Sequence, residues 1–206
     1  MARGITVCSI DDAEETMTTP QADYSQLPAN LPVPQDDGAA AHLLGLVIDN
    51  LSLPATSGRA VNLAAEPGWV VIYCYPMTGR PGTPLPAGWD QIPGARGCTP
   101  QSCGFRDNTR ELSDLGARVF GVSTQTPAEQ LEAAERLHLP FELLSDANLT
   151  FATALRLPTF TVDGTVMLRR LTLIVRAGRV EHVMYPVFPP DRNALDVVAW
   201  LTAPDT

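Results

Sequence analysis

Residues 69–75 read WVVIYCY, the longest strongly apolar run in the chain. The run is rich in β-branched and aromatic residues and has the length of a strand. A membrane-spanning helix needs about 18 or more consecutive apolar residues, and no stretch of the sequence reaches that length. We therefore predict a buried strand at 69–75 and no transmembrane segment.

Strand and helix patterns alternate along the chain on both sides of this run. The predicted elements are a hairpin at 51–63, helices at 99–115, 127–137, 148–155 and 191–201, strands at 118–123 and 141–146, a turn-containing segment at 160–166, and a hairpin of 171–175 with 180–185. The alternating part predicts parallel strands, and the final hairpin adds an antiparallel part. Together they predict a thioredoxin-like α/β fold, with a central mixed sheet flanked by helices.

The length of 206 residues suits one domain. Residues 1–40 are acidic and proline-rich with little hydrophobic periodicity, so we predict a loosely ordered N-terminal arm. The domain itself is expected at 41–206. Residues 79–93 are rich in glycine and proline and are predicted to form an inserted loop that leads to Cys98.

The charge balance restricts the partners. The 14 basic and 23 acidic residues give a net charge of -9, which argues against binding to nucleic acid. The N-terminus has no long apolar segment of the kind found in secretory signals and runs into acidic residues 11–15. We therefore expect a cytoplasmic location, where thiols are kept reduced.

Four cysteines stand at positions 8, 74, 98 and 103. In a reducing compartment a close pair indicates redox or catalytic use rather than a structural disulfide. Cys74 lies in the predicted buried strand and is expected to be an inert core residue. Cys8 lies in the arm and has no predicted role, so attention falls on Cys98 and Cys103.

The position of Cys98 at the start of a predicted helix favours its thiolate. A free cysteine has a pKa of about 8.5 and is mostly protonated at neutral pH, so a reactive thiolate needs a stabilising feature. Unpaired N–H groups and the helix dipole stabilise an anion at a helix N-terminus. A cationic side chain would add to this effect, and the candidates are Arg96, Arg106 and one of the pair Arg169 and Arg170. Only one of that pair can face the site if they continue a strand.

The spacing of the two cysteines predicts a local rearrangement. Residues five positions apart on an ideal helix have Cα atoms roughly 8.6 Å apart. A disulfide requires less than about 7 Å. Formation of a bond between Cys98 and Cys103 is therefore expected to unwind the first turns of the helix.

Residues 97–107, with the sequence GCTPQSCGFRD, resemble the active-site segment of the Q-type peroxiredoxins, also called the bacterioferritin comigratory protein group. The resemblance covers about residues 45–202 and includes YP at 75–76, GVST at 121–124 and LLSD at 143–146. It implies reduction of hydroperoxides by a peroxidatic Cys98 and a resolving Cys103, with recycling by thioredoxin or a similar dithiol. It also implies no bound cofactor and a monomer or weak dimer. Arg170 begins the segment RLTLI and matches the family's activating arginine, which binds the peroxidatic sulfur and the peroxide.

The sequence departs from the family pattern in front of Cys98. The family usually has a threonine three residues before the peroxidatic cysteine, whereas this chain has Ala95. The inserted loop at 79–93 is a second departure, and Thr83 or Thr99 is a candidate to supply the missing hydroxyl.

Other classes of function have weaker support. The three histidines, His42, His138 and His182, are scattered singly, so we expect no metal site. No phosphate-binding glycine motif or serine-hydrolase motif is present. A thiol-disulfide oxidoreductase would favour a two-residue gap between its cysteines. The remaining alternative is a thioredoxin-fold redox sensor or disulfide switch without efficient peroxidase turnover.

Overall fold

The computed structural model describes residue 24 and residues 26–203. The strands are β1 Ser52–Pro54, β2 Ala60–Asn62, β3 Trp69–Cys74, β4 Ala117–Ser123, β5 Glu142–Ser145, β6 Thr159–Val162, β7 Thr165–Leu168, β8 Leu171–Arg176 and β9 Arg179–Met184. The α-helices are α1 Cys98–Asp107, α2 Thr109–Asp114, α3 Pro127–Arg136, α4 Thr150–Leu155 and α5 Asn193–Leu201. Short 3₁₀ turns lie at Ala41–Leu43, Trp89–Gln91 and Pro190–Arg192.

Five strands form the central sheet in the order β5-β4-β3-β8-β9. The pairs β3 with β4 and β4 with β5 are parallel, whereas β8 runs antiparallel to both β3 and β9. The predicted parallel beginning and antiparallel end are confirmed, as is the α/β class. The hairpins β1–β2 and β6–β7 form separate two-stranded sheets.

The central strand β3 is buried on both faces, as its apolar run predicts. Val70, Ile72 and Cys74 belong to a core that also contains apolar residues of α4 and of the β1–β2 hairpin. Val71 and Tyr73 point to the other face, where α1, α2, α3 and α5 contribute to a second core. Helices therefore cover both faces of the sheet. The second face carries α1, and with it both cysteines of interest.

The helix predicted at 99–115 is two helices, and the single-helix prediction is wrong. The break falls at Asn108, whose φ of -104° and ψ of 10° are not helical. Its Nδ2 donates to the Gly104 carbonyl at 2.8 Å, and Thr109 Oγ1 donates to the Phe105 carbonyl at 2.8 Å. Side chains of this kind bind the carbonyls of the preceding turn and so compete with continuation of the helix.

The glycine- and proline-rich segment before Cys98 packs against the domain through its own small core. Trp89 is buried, and its ring centroid lies 6.2 Å from that of Phe160 in the β6–β7 hairpin. Val162 and Met167 of the same hairpin complete this core. This segment is thus fixed to β6–β7 by apolar contacts.

Part of the chain before residue 40 also contacts the domain. A Cβ atom added at Gly97 would lie 2.7 Å from Leu27, and one added at Gly94 would lie 3.7 Å from Pro34. Asp37 Oδ1 accepts a hydrogen bond of 2.9 Å from the Tyr185 hydroxyl. Residues 1–23, including Cys8, lie outside the described residues, and the assignment of 1–40 to a loosely ordered arm stays a prediction.

Candidate active site

Cys98 is the first residue of α1, as the sequence predicts. Gly97 precedes it with a φ of 104°, and a Cβ there would lie 2.4 Å from Pro190, so this tight entry requires glycine. Cys98 is only 3% exposed. As a thiol, its Sγ donates to the Ala95 carbonyl at 3.6 Å. The sulfur therefore lies at the N-terminal end of the helix, where backbone N–H groups lack helical partners.

Arg170 is the cation that reaches this sulfur. Its Nη2 donates to Cys98 Sγ at 3.2 Å, and the side chain is almost completely buried. Arg169 instead places its guanidinium 5.9 Å from the ring centroid of Phe160. Between the two neighbouring arginines, the one predicted from the sequence lies at the site.

The guanidinium of Arg170 also organises the loop in front of the helix. It donates to the carbonyls of Gly94, Ala95 and Arg96, each at 3.2 Å. Its Nη1 donates to Gln101 Oε1. The five N–H donors of a guanidinium can reach several acceptors that surround it in one plane, whereas the single ammonium group of a lysine could not bind all of these acceptors. Arg170 thus fixes the backbone before Cys98 as well as contacting its sulfur.

A buried set of polar side chains supports Arg170 from behind. Gln101 Nε2 donates to Asn193 Oδ1 at 2.9 Å, and Thr172 Oγ1 donates to the same oxygen at 2.7 Å. All three residues are at most 1% exposed. Sequence reasoning missed Gln101 and Asn193. The spacing could have indicated Gln101, because it follows Cys98 by three residues and so lies on the same face of α1.

Cys103 lies on the same helix as Cys98, and both thiols are free. Partial burial raises the pKa of the Cys103 thiol above its ordinary value, and the nearby Arg106 guanidinium opposes that shift. Arg106, a candidate partner of Cys98 in the sequence, thus lies near Cys103, and its Nη1 donates to the Leu137 carbonyl at 2.9 Å. Cys74 is fully buried, and burial raises the pKa of its thiol strongly.

A narrow pocket of about 10 Å³ opens beside Cys98. It is lined by Tyr24, Met77, Gly79, Leu85, Trp89, Arg96, Gly97, Cys98 and Thr99. Thr99 is 4% exposed, and its Oγ1 has no hydrogen-bond partner among the described residues. Thr83 lines a neighbouring cavity of about 460 Å³, which shares Met77, Gly79 and Leu85 with this pocket. Of the two threonines considered from the sequence, Thr99 is the one beside Cys98.

Two further properties concern the described residues as a whole. No three His, Cys, Asp or Glu side chains of residues 24 and 26–203 cluster in a way that could hold a metal ion. In the same part of the chain, no helix is both long enough and apolar enough to cross a membrane.

A free thiol at a helix start, contacted by a buried arginine and carried on a mixed sheet, defines a thiol-based redox protein. The Redoxin family profile matches residues 32–198. Peroxiredoxin Bcp of Escherichia coli is 32% identical over 165 residues, which is 76% of this chain and 94% of that protein. The chain belongs to the redoxin family, in the group of the Q-type and Bcp peroxiredoxins.

Further similarities agree with this assignment. The chloroplastic peroxiredoxin Q of rice is 30% identical over 150 residues, which is 72% of this chain but only 62% of the rice protein. The crystal structure of peroxidoxin BcpB from Mycobacterium tuberculosis matches with a TM-score of 0.62 and 27% identity. That match covers 77% of this chain and 95% of BcpB, and it confirms the predicted thioredoxin-like fold.

Proposed function

We propose that the protein is a thiol peroxidase that reduces hydroperoxides through Cys98. The observation that carries this proposal is the 3.2 Å hydrogen bond from Arg170 to Cys98 Sγ at the start of α1. A guanidinium and a helix N-terminus both favour the thiolate, which is the nucleophilic form of cysteine. The other two cysteines of the described residues lack such a combination.

The first step transfers one oxygen atom. The Cys98 thiolate attacks the terminal oxygen of the hydroperoxide, a sulfur–oxygen bond forms, and the oxygen–oxygen bond breaks. The product is a sulfenic acid on Cys98, and the departing alkoxide or hydroxide takes up a proton to leave as alcohol or water. Arg170 supplies positive charge and hydrogen-bond donors where negative charge develops on the departing oxygen.

In related proteins a threonine three residues before the peroxidatic cysteine supplies a hydroxyl near the peroxide. This chain has Ala95 at that position, so a different residue must supply the hydroxyl. We assign this role to the hydroxyl of Thr99. It is buried beside Cys98 and has no hydrogen-bond partner among the residues described. A buried hydroxyl without a protein partner gains one if it donates to the peroxide, and this bond offsets the cost of its burial.

Cys103 completes the cycle in the second step. Its sulfur attacks the sulfenic sulfur of Cys98, a disulfide forms, and water is released. Because both residues stand in the intact helix α1, the first turns must unwind before the sulfurs can meet. Thioredoxin or a similar dithiol then reduces the disulfide by thiol-disulfide exchange, and no bound cofactor is needed.

Steady-state consumption of hydrogen peroxide, with thioredoxin and its reductase as electron source, tests the proposal. We expect turnover by the native chain and only background consumption by Cys98→Ser. Equal, slow consumption by both proteins would contradict the peroxidase and favour the alternative of a disulfide switch without turnover. Cys74→Ser is the matched control, because it also removes one buried thiol.

Amide hydrogen exchange tests the unwinding step separately. Residues 98–106 should lose protection in the oxidised protein relative to the reduced protein. Equal protection in the two states would contradict local unwinding without bearing on the first step. The cytoplasmic location and the monomer or weak dimer stay predictions from the sequence.

A further inference from the structure

Tyr24 lies across the pocket of Cys98 although it is 74 positions away in the chain. Its hydroxyl donates to the Thr83 carbonyl at 2.8 Å. Its ring lies close to Gly79, where an added Cβ would come within 2.9 Å of a ring carbon. These contacts attach the tyrosine to the first half of the segment that leads to Cys98.

The second half of the same segment also contacts the ring. The guanidinium of Arg96 lies 5.1 Å from the centroid of the Tyr24 ring, and Arg96 also pairs with Asp90 at 3.4 Å. A cation over an aromatic face is attracted by the electrons of the ring. Tyr24 thus bridges two parts of the segment that leads to Cys98, one at Gly79 and Thr83 and the other at Arg96.

The pocket that remains under this bridge is very small. Its volume of about 10 Å³ is close to the minimum that one water molecule requires. The apolar side chains of Met77, Leu85 and Trp89 form other parts of its wall. Hydrogen peroxide needs little more room than water, but a bulky substituent on the peroxide oxygen does not fit within this volume while the Tyr24 ring is in place.

We propose that Tyr24 sets the size limit for access to Cys98. Small hydroperoxides reach the sulfur with the ring in place, whereas hydroperoxides with a bulky apolar group react only after the ring is displaced. The substrate part of this proposal rests on the proposed peroxidase function. The access part does not, because any thiol reagent must pass the same ring.

Alkylation of Cys98 measures access without peroxide chemistry. The protein carries Cys103→Ser, and the labelled Cys98 peptide is quantified by mass spectrometry after reaction with iodoacetamide or with pyrene maleimide. Displacing the ring breaks one hydrogen bond and one cation–π contact of ordinary strength, which together correspond to about a tenfold change in rate. We expect Tyr24→Ala to increase the rate of Cys98 alkylation by pyrene maleimide by about this factor, and the rate of alkylation by iodoacetamide by less than about threefold.

Tyr24→Phe and Tyr185→Phe form a matched pair. Both lose a hydroxyl that ties residues before position 40 to the rest of the domain, but only the first lies at the Cys98 pocket. Tyr24→Phe should increase the rate of Cys98 alkylation by the maleimide less than Tyr24→Ala does. Tyr185→Phe should leave the alkylation rates with both reagents unchanged. The proposal is overturned if Tyr24→Ala accelerates both reagents equally or neither, or if Tyr185→Phe has the same effect as Tyr24→Phe.

Peroxide kinetics then test the substrate part. In Tyr24→Ala the ratio of kcat/KM for cumene hydroperoxide to that for hydrogen peroxide should rise by about tenfold. An unchanged ratio would refute the size limit for substrates. Absence of peroxide consumption by every variant would refute the proposed peroxidase instead, and the alkylation result would still decide the access part.

Discussion

Replacement of Arg170 by lysine tests the feature on which the proposed chemistry depends most. Lysine keeps the positive charge but replaces a rigid planar fork by a single ammonium group. The guanidinium donates at 3.2 Å to Cys98 Sγ and at the same distance to three carbonyls of residues 94–96. We expect the variant to lose the contact with sulfur and part of the order in the loop before it.

The size of the effect follows from the contact. A hydrogen bond that involves a charged group contributes about 1.5–3 kcal/mol. At about 1.4 kcal/mol for each factor of ten, loss of the contact between Arg170 and the Cys98 thiolate should slow the first step by about 10- to 150-fold. Carbonyls left without a donor should also lower the free energy of unfolding, by about 1–3 kcal/mol.

The assay is stopped-flow measurement of sulfenic acid formation on Cys98 in a Cys103→Ser background, at several hydrogen peroxide concentrations. Arg169→Lys is the control, because it changes the neighbouring arginine, which contacts Phe160 and not the sulfur. We expect that variant to react within about twofold of the unchanged chain. A folded Arg170→Lys variant that reacts within about threefold of the unchanged chain would refute the role given to Arg170.

Three further predictions concern other parts of the molecule. Thr99→Val should slow sulfenic acid formation by about 2- to 13-fold, the equivalent of one neutral hydrogen bond, while Thr99→Ser retains most of the rate; equal rates for the two variants would count against the hydroxyl. Burial raises the pKa of the Cys103 thiol above its ordinary value, so its alkylation rate in a Cys98→Ser protein should rise with pH to a midpoint above that of free cysteine, and a midpoint at or below that of free cysteine in the same assay would be inconsistent with this environment. The hydrogen bond from Arg59 lowers the pKa of Glu142 below its ordinary 4.5, so the stabilisation is present above that value and is lost as the pH falls through the lowered one. Glu142→Gln should therefore lower the free energy of unfolding by about 0.2–1 kcal/mol at neutral pH and by progressively less in acid, and a constant difference at all pH values would rule out this pairing.

Much of the sheet could be predicted from local patterns. The strand at 69–75 is found within one residue, because a run of apolar β-branched and aromatic residues has few alternatives to a buried strand. The helix predicted at 127–137 is found at Pro127–Arg136, and the structure adds a capping box of Thr126 and Glu129 at its start. The break at Asn108 was missed because its side chain competes with the backbone for a hydrogen bond, an effect that apolar periodicity does not reveal.

The site was only partly predictable, because several of its contacts join residues that are distant in sequence. Cys98 and Cys103 stand out by their spacing, and Arg170 was identified through the family resemblance. Gln101 was not, because a glutamine on a helix is usually exposed and this one is buried only through its bonds to Arg170 and Asn193. Tyr24 was missed as well, because it lies in a segment whose composition resembles that of a disordered arm and because its contacts with Gly79, Thr83 and Arg96 are distant in sequence.

One measurement tests the central role of Cys98 most directly. Fully reduced protein is mixed with one equivalent of hydrogen peroxide, and the peptide that contains Cys98 and Cys103 is weighed by mass spectrometry. We predict the loss of two hydrogen atoms in the native chain, the gain of one oxygen atom on Cys98 in Cys103→Ser, and no change in Cys98→Ser. An oxygen atom found on Cys103 in Cys98→Ser at the native rate, or an unmodified Cys98 in the native chain, would contradict it.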